Sequence, residues 1–201
     1  AGGNVTVTST RDSAFYAHSR GSGTIEAGGD IRFVKGSSRD SIFIQGAEND
    51  SDRTQYGYSL TLKGRNISAG DVDVQAHAAL SVQASGDVSF NSLLLDTDSS
   101  PLEGFEENAI TLTGEGSTFA LSGRTSGYSD NTHSLEVRQN KSLTVTADNI
   151  LISQGIAVNE AGGLALNARR SLTVSRSSVE RRSKVKVFLC KILFYIFVFY
   201  W

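Results

Sequence analysis

Four stretches of the chain vary one short phrase: TIEAGGDIRF (24–33), ISAGDVDV (67–74), SVQASGDVSF (81–90) and LTVTADNILI (143–152). Each joins a β-branched or aliphatic pair to a Gly, Asp or Asn corner and then to a second alternating pair. One such unit cannot bury its apolar side alone. A chain that repeats it therefore stacks equivalent coils on one another.

Alternating apolar pairs run from Val5/Val7 to Leu172/Val174, through Ile31/Phe33, Leu60/Leu62, Val72/Val74, Val88/Phe90, Phe119/Leu121 and Ile150/Ile152. The residue inside each pair is usually polar, so one face turns inward and the other outward. Neither Asn-Gly nor Asp-Gly, the dipeptides of tight hairpins, occurs anywhere. With 20 Gly, a single Pro (Pro101) and no convincing helical periodicity before the C-terminal tail, the chain favours short strands and tight turns. Three such strands with their corners take roughly 20–25 residues, inside the repeat range of solenoids. This predicts an all-β fold, a parallel β-helix, over residues 1–182, followed by an apolar tail over 183–201 that is expected to be helical or disordered. Asp30, Asp71, Asp87 and Asn149 read as corner residues whose short side chains bond nearby backbone. Three polar stretches, 46–58, 96–108 and 123–133, break the rhythm and are expected to project as loops, where repeat proteins carry function.

The net charge of −2 hides two unlike regions: residues 1–168 hold 11 basic and 20 acidic side chains, residues 169–201 hold 8 basic and 1 acidic. A body without a basic footprint is a poor nucleic-acid binder. The only cysteine, Cys190, lies in the tail, so the body forms no disulfides and could cross an oxidising compartment as an extended chain. The start at Ala1 and the absence of Met lead us to expect an internal fragment or processed product, with no secretory signal peptide.

Candidate chemistry is sparse. Asp96, Asp98, Ser100 and Glu107 fall at calcium-loop spacing, but Pro101 stands where such a loop needs Gly. His18, His77 and His133 lie far apart, His77 being expected to face outward, and no Gly-x-Ser-x-Gly elbow accompanies the many serines. No catalytic residue, metal ligand or cofactor site is expected. Tyr56, Tyr58 and Tyr128, beside Arg53 and Arg124 in the polar stretches, are the candidate binding residues, since tyrosine and arginine together suit sugars or protein surfaces. Asn4, Asn66 and Asn140 open N-glycosylation triplets, which chance readily supplies in so Ser/Thr/Asn-rich a chain.

GGNVTVTS (2–9), EAGGDIRF (26–33), LKGRNISAGDVDV (62–74) and NKSLTVTADNILIS (140–153) resemble the repeat region of filamentous-haemagglutinin-like exoproteins. These are bacterial surface or secreted proteins exported by two-partner secretion, among them adhesins and the stalks of contact-dependent inhibition systems. The likeness covers about residues 1–176. It implies a right-handed β-helix serving as stalk or adhesive shaft, an outer-membrane transporter for the parent protein, and a host or neighbouring-cell receptor or glycan as partner. No secretion domain or toxin accompanies the repeats. The alternatives are a β-helical polysaccharide-acting enzyme, for which Asp71, Asp73 and Asp87 are the only dense acidic set in a regular region, and a non-functional relic of a truncated exoprotein gene. The tail, with ten uninterrupted apolar residues from Ile192, is short of the roughly 20 that span a bilayer. Its readings are a membrane contact through 187–201, a solenoid cap, or the end of a disrupted reading frame.

Overall fold

A computed structural model describes residues 1–10, 13–35, 41–48, 55–96, 102–123, 133–138, 140–158, 162–175, 177–179 and 184–189. Its regular structure is all β, with no helix among these residues. Apart from one two-stranded hairpin, every strand pairing is parallel.

The pairings sort the strands into three stacks. Stack A contains Val5–Thr8, Ile31–Val34, the start of Ile67–Val74, the start of Val88–Leu95, Thr118–Leu121, and the second halves of Ser142–Ile152 and Gly163–Val174. Stack B contains Phe15–His18, Ile42–Gln45, the ends of Ile67–Val74 and Val88–Leu95, then Leu135–Val137, Ile156–Val158 and Ser177–Val179. Stack C contains Gly21–Glu26, Tyr58–Gly64, Ala78–Ala84, Glu107–Leu112, the first halves of Ser142–Ile152 and Gly163–Val174, and Lys184–Leu189. On every pass the chain visits A, then B, then C, the pattern of a β-solenoid. The repeat is visible in the register: Val88 lies on Ile67, 21 residues back, and Leu172 lies on Ile150, 22 residues back.

In-register stacking makes one core from many short strands. Ile31, Ile67, Val88, Phe119 and Ile150 form one inward row of stack A. Ile42, Val72, Leu93, Leu135 and Ile156 do the same in B, and Leu62, Val82, Ile110, Val145 and Leu166 in C. All of these are buried, and burying one such side chain is worth about 1.5–3 kcal/mol. The expected pairs Val5/Val7 and Leu172/Val174 are only half-buried against this core.

The corner from C to A is held by side chains. Asn4 Oδ1 accepts the Asp30 N–H at 2.8 Å, Asn66 Oδ1 the Asp87 N–H at 2.9 Å, and Asp87 Oδ1 the Thr118 N–H at 2.8 Å. Asn66 Nδ2 donates back to Asp30, and Ser171 Oγ donates to Asn149 Oδ1. Asp30, Asp87 and Asn149 are thus corner residues as expected, while Asp71 occupies the corner from A to B. Asn4 and Asn66 belong to this ladder as well, whereas Asn140 is exposed in a left-handed turn with φ 66°.

The ladder of strands runs past the boundary expected at Arg182. Lys184–Leu189 pairs in parallel with the start of Gly163–Val174, Val187 lying beside Leu166. The segment KVKVFL alternates with period two, which a strand can use and a helical tail cannot. Residues 190–201 lie outside the described residues. No helix of the described residues is long and apolar enough to cross a membrane.

If the corner ladder holds the coils in register, Asn66→Ala should cost about 1–3 kcal/mol, since it removes an acceptor and a donor between coils. Ser89→Ala, on an exposed outer position, should change stability by less than about 0.5 kcal/mol. Thermal or denaturant unfolding of the two variants checks this.

Candidate functional site

Insertions in this solenoid are confined to two of its three edges. The C-to-A corner is short in every coil, because its backbone and side chains already bond to the next coil. Extra chain enters between A and B (36–40 and 123–133) and between B and C (46–57 and 96–106). Both edges flank stack B, so the extra residues enter the chain just before and just after its strands; of the three stretches expected to project, 49–54, 97–101 and 124–132 lie outside the described residues.

Two outward rows define this face. One runs Tyr16, Phe43, Asp73, and continues through Leu94, Glu136 and Ala157; the other runs His18, Gln45, then Gln75. Tyr16 is 63% exposed and stacks on Phe43, ring centroids 5.1 Å apart and planes 8° from parallel. Farther along, Leu94, Glu136 and Ala157 are buried although they point outward. Glu136 pairs with Arg138, whose guanidinium also lies 3.7 Å from Asp96.

At the B-to-C edge, Ala47–Glu48 and Gln55–Tyr56 form the antiparallel hairpin. The guanidinium of Arg20, from the coil before, sits 5.3 Å from the centre of the Tyr56 ring. At the hairpin's base Gly57 lies against Phe105 so closely that a Cβ there would stand 2.1 Å from the ring. Lys141, fully buried, donates to the Phe105 carbonyl at 2.7 Å and the Ala78 carbonyl at 2.5 Å. These contacts join parts of the two insertions and the solenoid wall into one ridge.

Of the five candidate binding residues, Tyr56, expected in a projecting loop, lies in the strand Gln55–Tyr56 of this hairpin. Tyr58 is a correction: it opens the strand Tyr58–Gly64, points inward and is buried. Its ring fills space left by the facing coil, where a Cβ on Gly23 would stand 2.5 Å from its hydroxyl, and burial pushes the phenol pKa up. Arg53, Arg124 and Tyr128 lie outside the described residues.

The other candidates are dispersed. His77 is another correction, buried at a turn with φ 55° instead of facing outward; His18 is exposed on the outer face of B. Asp96 is buried near Arg138, and Glu107 is an exposed strand residue in stack C. Asp98 and Ser100 lie outside the described residues. Among the described residues no group of three or more His, Cys, Asp or Glu side chains could hold a metal ion. Asp71, Asp73 and Asp87 do not converge: Asp71 is at the A-to-B corner, Asp73 on the outer face of B, and Asp87 at the C-to-A corner.

Asp71 has a basic neighbour that the sequence reading did not find. Lys35 Nζ lies 2.6 Å from its carboxylate, Ser92 Oγ donates at 2.8 Å, and Asn91 Nδ2 donates as well. Burial pushes the Asp71 carboxyl up, but these donors and the Lys35 charge together hold it below its ordinary 3.8. At a C-to-A corner farther along the solenoid, the Gly116 N–H and then Arg169 and Arg170 lower Asp148 against its burial. Compared with family models, curated proteins and solved structures, the chain has no match in any of the three.

A carboxylate lowered in the folded state contributes stability that is present above its unfolded pKa and lost as pH falls through the folded value. Stability should therefore fall as pH drops below about 4, the ordinary carboxylate range. Asp71→Asn should lose about 1–3 kcal/mol at neutral pH and show a shallower loss on acidification. Unfolding measured from pH 7 down to pH 2 checks both.

Proposed function

We propose that this chain is a structural and adhesive segment of a bacterial surface or secreted exoprotein of the filamentous-haemagglutinin-like kind. It is a right-handed parallel β-helix without catalytic activity, from a parent exported through an outer-membrane transporter. Its partner is a receptor or glycan on a host or neighbouring cell. The observation that carries this reading is where the repeated phrase falls. GGDIRF, SGDVSF and ADNILI each land on a C-to-A corner and the strand after it, whereas in ISAGDVDV the Gly-Asp step is the A-to-B corner. Three copies of the motif that supports the family resemblance thus close a coil at the same corner. Right-handedness follows the general preference of parallel strand crossovers.

The adhesive part of the proposal is supported by the confinement of insertions to the edges of stack B. A shaft needs no insertions; a binding face gains from them, since loops carry variable contacts on a rigid scaffold. The full chain, fluorescently labelled, should bind a panel of bacterial and epithelial cells saturably. Replacing residues 47–56 with a short turn should lower that binding several-fold, as expected when a minority of contacts dominates an interface, while the β-sheet circular dichroism is retained. Absence of saturable binding to any cell, or full binding after the replacement, contradicts the adhesive reading.

A further inference from the structure

We propose that the outer face of stack B in its first coils binds a carboxylated saccharide. Arg20 takes the carboxylate, while Tyr16, His18 and Gln45 contact the sugar ring and its hydroxyls. The inference rests on the adhesive reading above and gives its ligand a chemical class.

Tyr16, His18 and Arg20 alternate along one coil, and all three are exposed. Strand alternation puts Tyr16 and His18 on the outer face, where Phe43 and Gln45 are their in-register neighbours. Tyr16 and Leu151 are the large apolar side chains exposed among the residues whose burial is described, and Leu151 stands on stack A. The Tyr16 ring is backed by Phe43, so its position is set before any ligand arrives. A flat amphipathic ring of this kind offers contact area with little side-chain entropy to lose.

Arg20 supplies the charge. Its guanidinium lies over the Tyr56 ring, which leaves its N–H edge free to meet a carboxylate in a bidentate way. No carboxylate among the described residues pairs with it. The stacking restrains the side chain before binding and so reduces the ordering cost.

The same face argues against a polyacidic peptide. Among the described residues of its first coils Arg20 is the one cation on this face, and Asp73 occupies the Tyr16–Phe43 row, with Gln75 donating to it at 2.5 Å. A polyanion is held by several cations together. One carboxylate surrounded by hydroxyls matches one guanidinium surrounded by a phenol, an imidazole and an amide.

The test uses the full chain and titration calorimetry. The probes are a galacturonic acid trimer, its methyl ester, sialyllactose, lactose and a hexaglutamate peptide. At least one acidic sugar should bind, and about tenfold more tightly than its uncharged counterpart, the effect of one charge-assisted pair. Arg20→Gln should abolish that difference. Tyr16→Ala should weaken the charged and uncharged forms alike, and Leu151→Ser should change nothing. Equal binding of acid and uncharged form, no binding of either acidic sugar, or tighter binding of hexaglutamate each overturns the proposal. Cell binding separates it from the reading beneath. If cells bind the Arg20→Gln, Tyr16→Ala double variant as well as the unaltered chain, the saccharide site is not the adhesive one and this inference falls while adhesion stands. If the sugars behave as stated and no cell is bound, the ligand class stands and adhesion falls.

Discussion

Hydrogen bonding between coils is the constraint from which the other features follow. Apart from the hairpin of Ala47–Glu48 and Gln55–Tyr56, the described strands find their backbone partners in the coils before and after, not within their own turn. Because the pairing is parallel and in register, each inward position meets the same position of its neighbours. A β-branched or aliphatic residue at that place in one coil therefore favours another in the next, and strands of four residues become parts of a continuous core. Coil length can vary from 21 residues between Ile67 and Val88 to 36 between Ile31 and Ile67 without disturbing the rows.

That tolerance is not uniform around the coil. At the C-to-A corner, Asn4, Asp30, Asn66 and Asp87 bind successive coils through their side chains, and the connection is five residues or fewer in each coil described. At the A-to-B corner side chains also join neighbouring coils, as where Ser41 Oγ accepts the Gly70 N–H or Lys35 pairs with Asp71. Insertions gather at this corner and at the B-to-C corner, and so border stack B. Geometry that stabilises one edge thus leaves the opposite face as the place where sequence can change, and where recognition can develop on a rigid support.

The solenoid was legible because its signals are local. The corner phrase and the alternation of Ile31/Phe33 or Leu143/Val145 need only a few neighbouring residues to be read. What depends on contacts between coils was not legible. Tyr58 looked like a loop residue by its polar neighbours, yet the space above Gly23 draws it inward. His77 followed an apparent alternation that ends at a left-handed turn. Lys35 and Asp71 are 36 residues apart, and Lys141 reaches a carbonyl 63 residues away. No spacing rule joins such pairs. Lys184–Leu189 is different: its alternation was present, but the aromatic run after it dominated the reading. Of the face proposed for binding, the sequence singled out only Tyr56; Tyr16, His18 and Arg20 were passed over, since none of them lies in a polar insertion.

The in-register stack can be measured directly by placing spin labels at Thr24 and Ala165, with Cys190→Ser to leave two attachment points. These outward positions lie in one row, through Thr61, Ser81, Ala109 and Thr144. Five strand spacings separate them, which places their Cα atoms about 24 Å apart, although they lie 141 positions apart in the sequence. A single narrow distance distribution near that value is the result expected of a parallel solenoid. A broad distribution, or a mean distance beyond about 40 Å, would mean that the coils do not rise by one strand spacing each and would contradict the stacked architecture on which every later step depends.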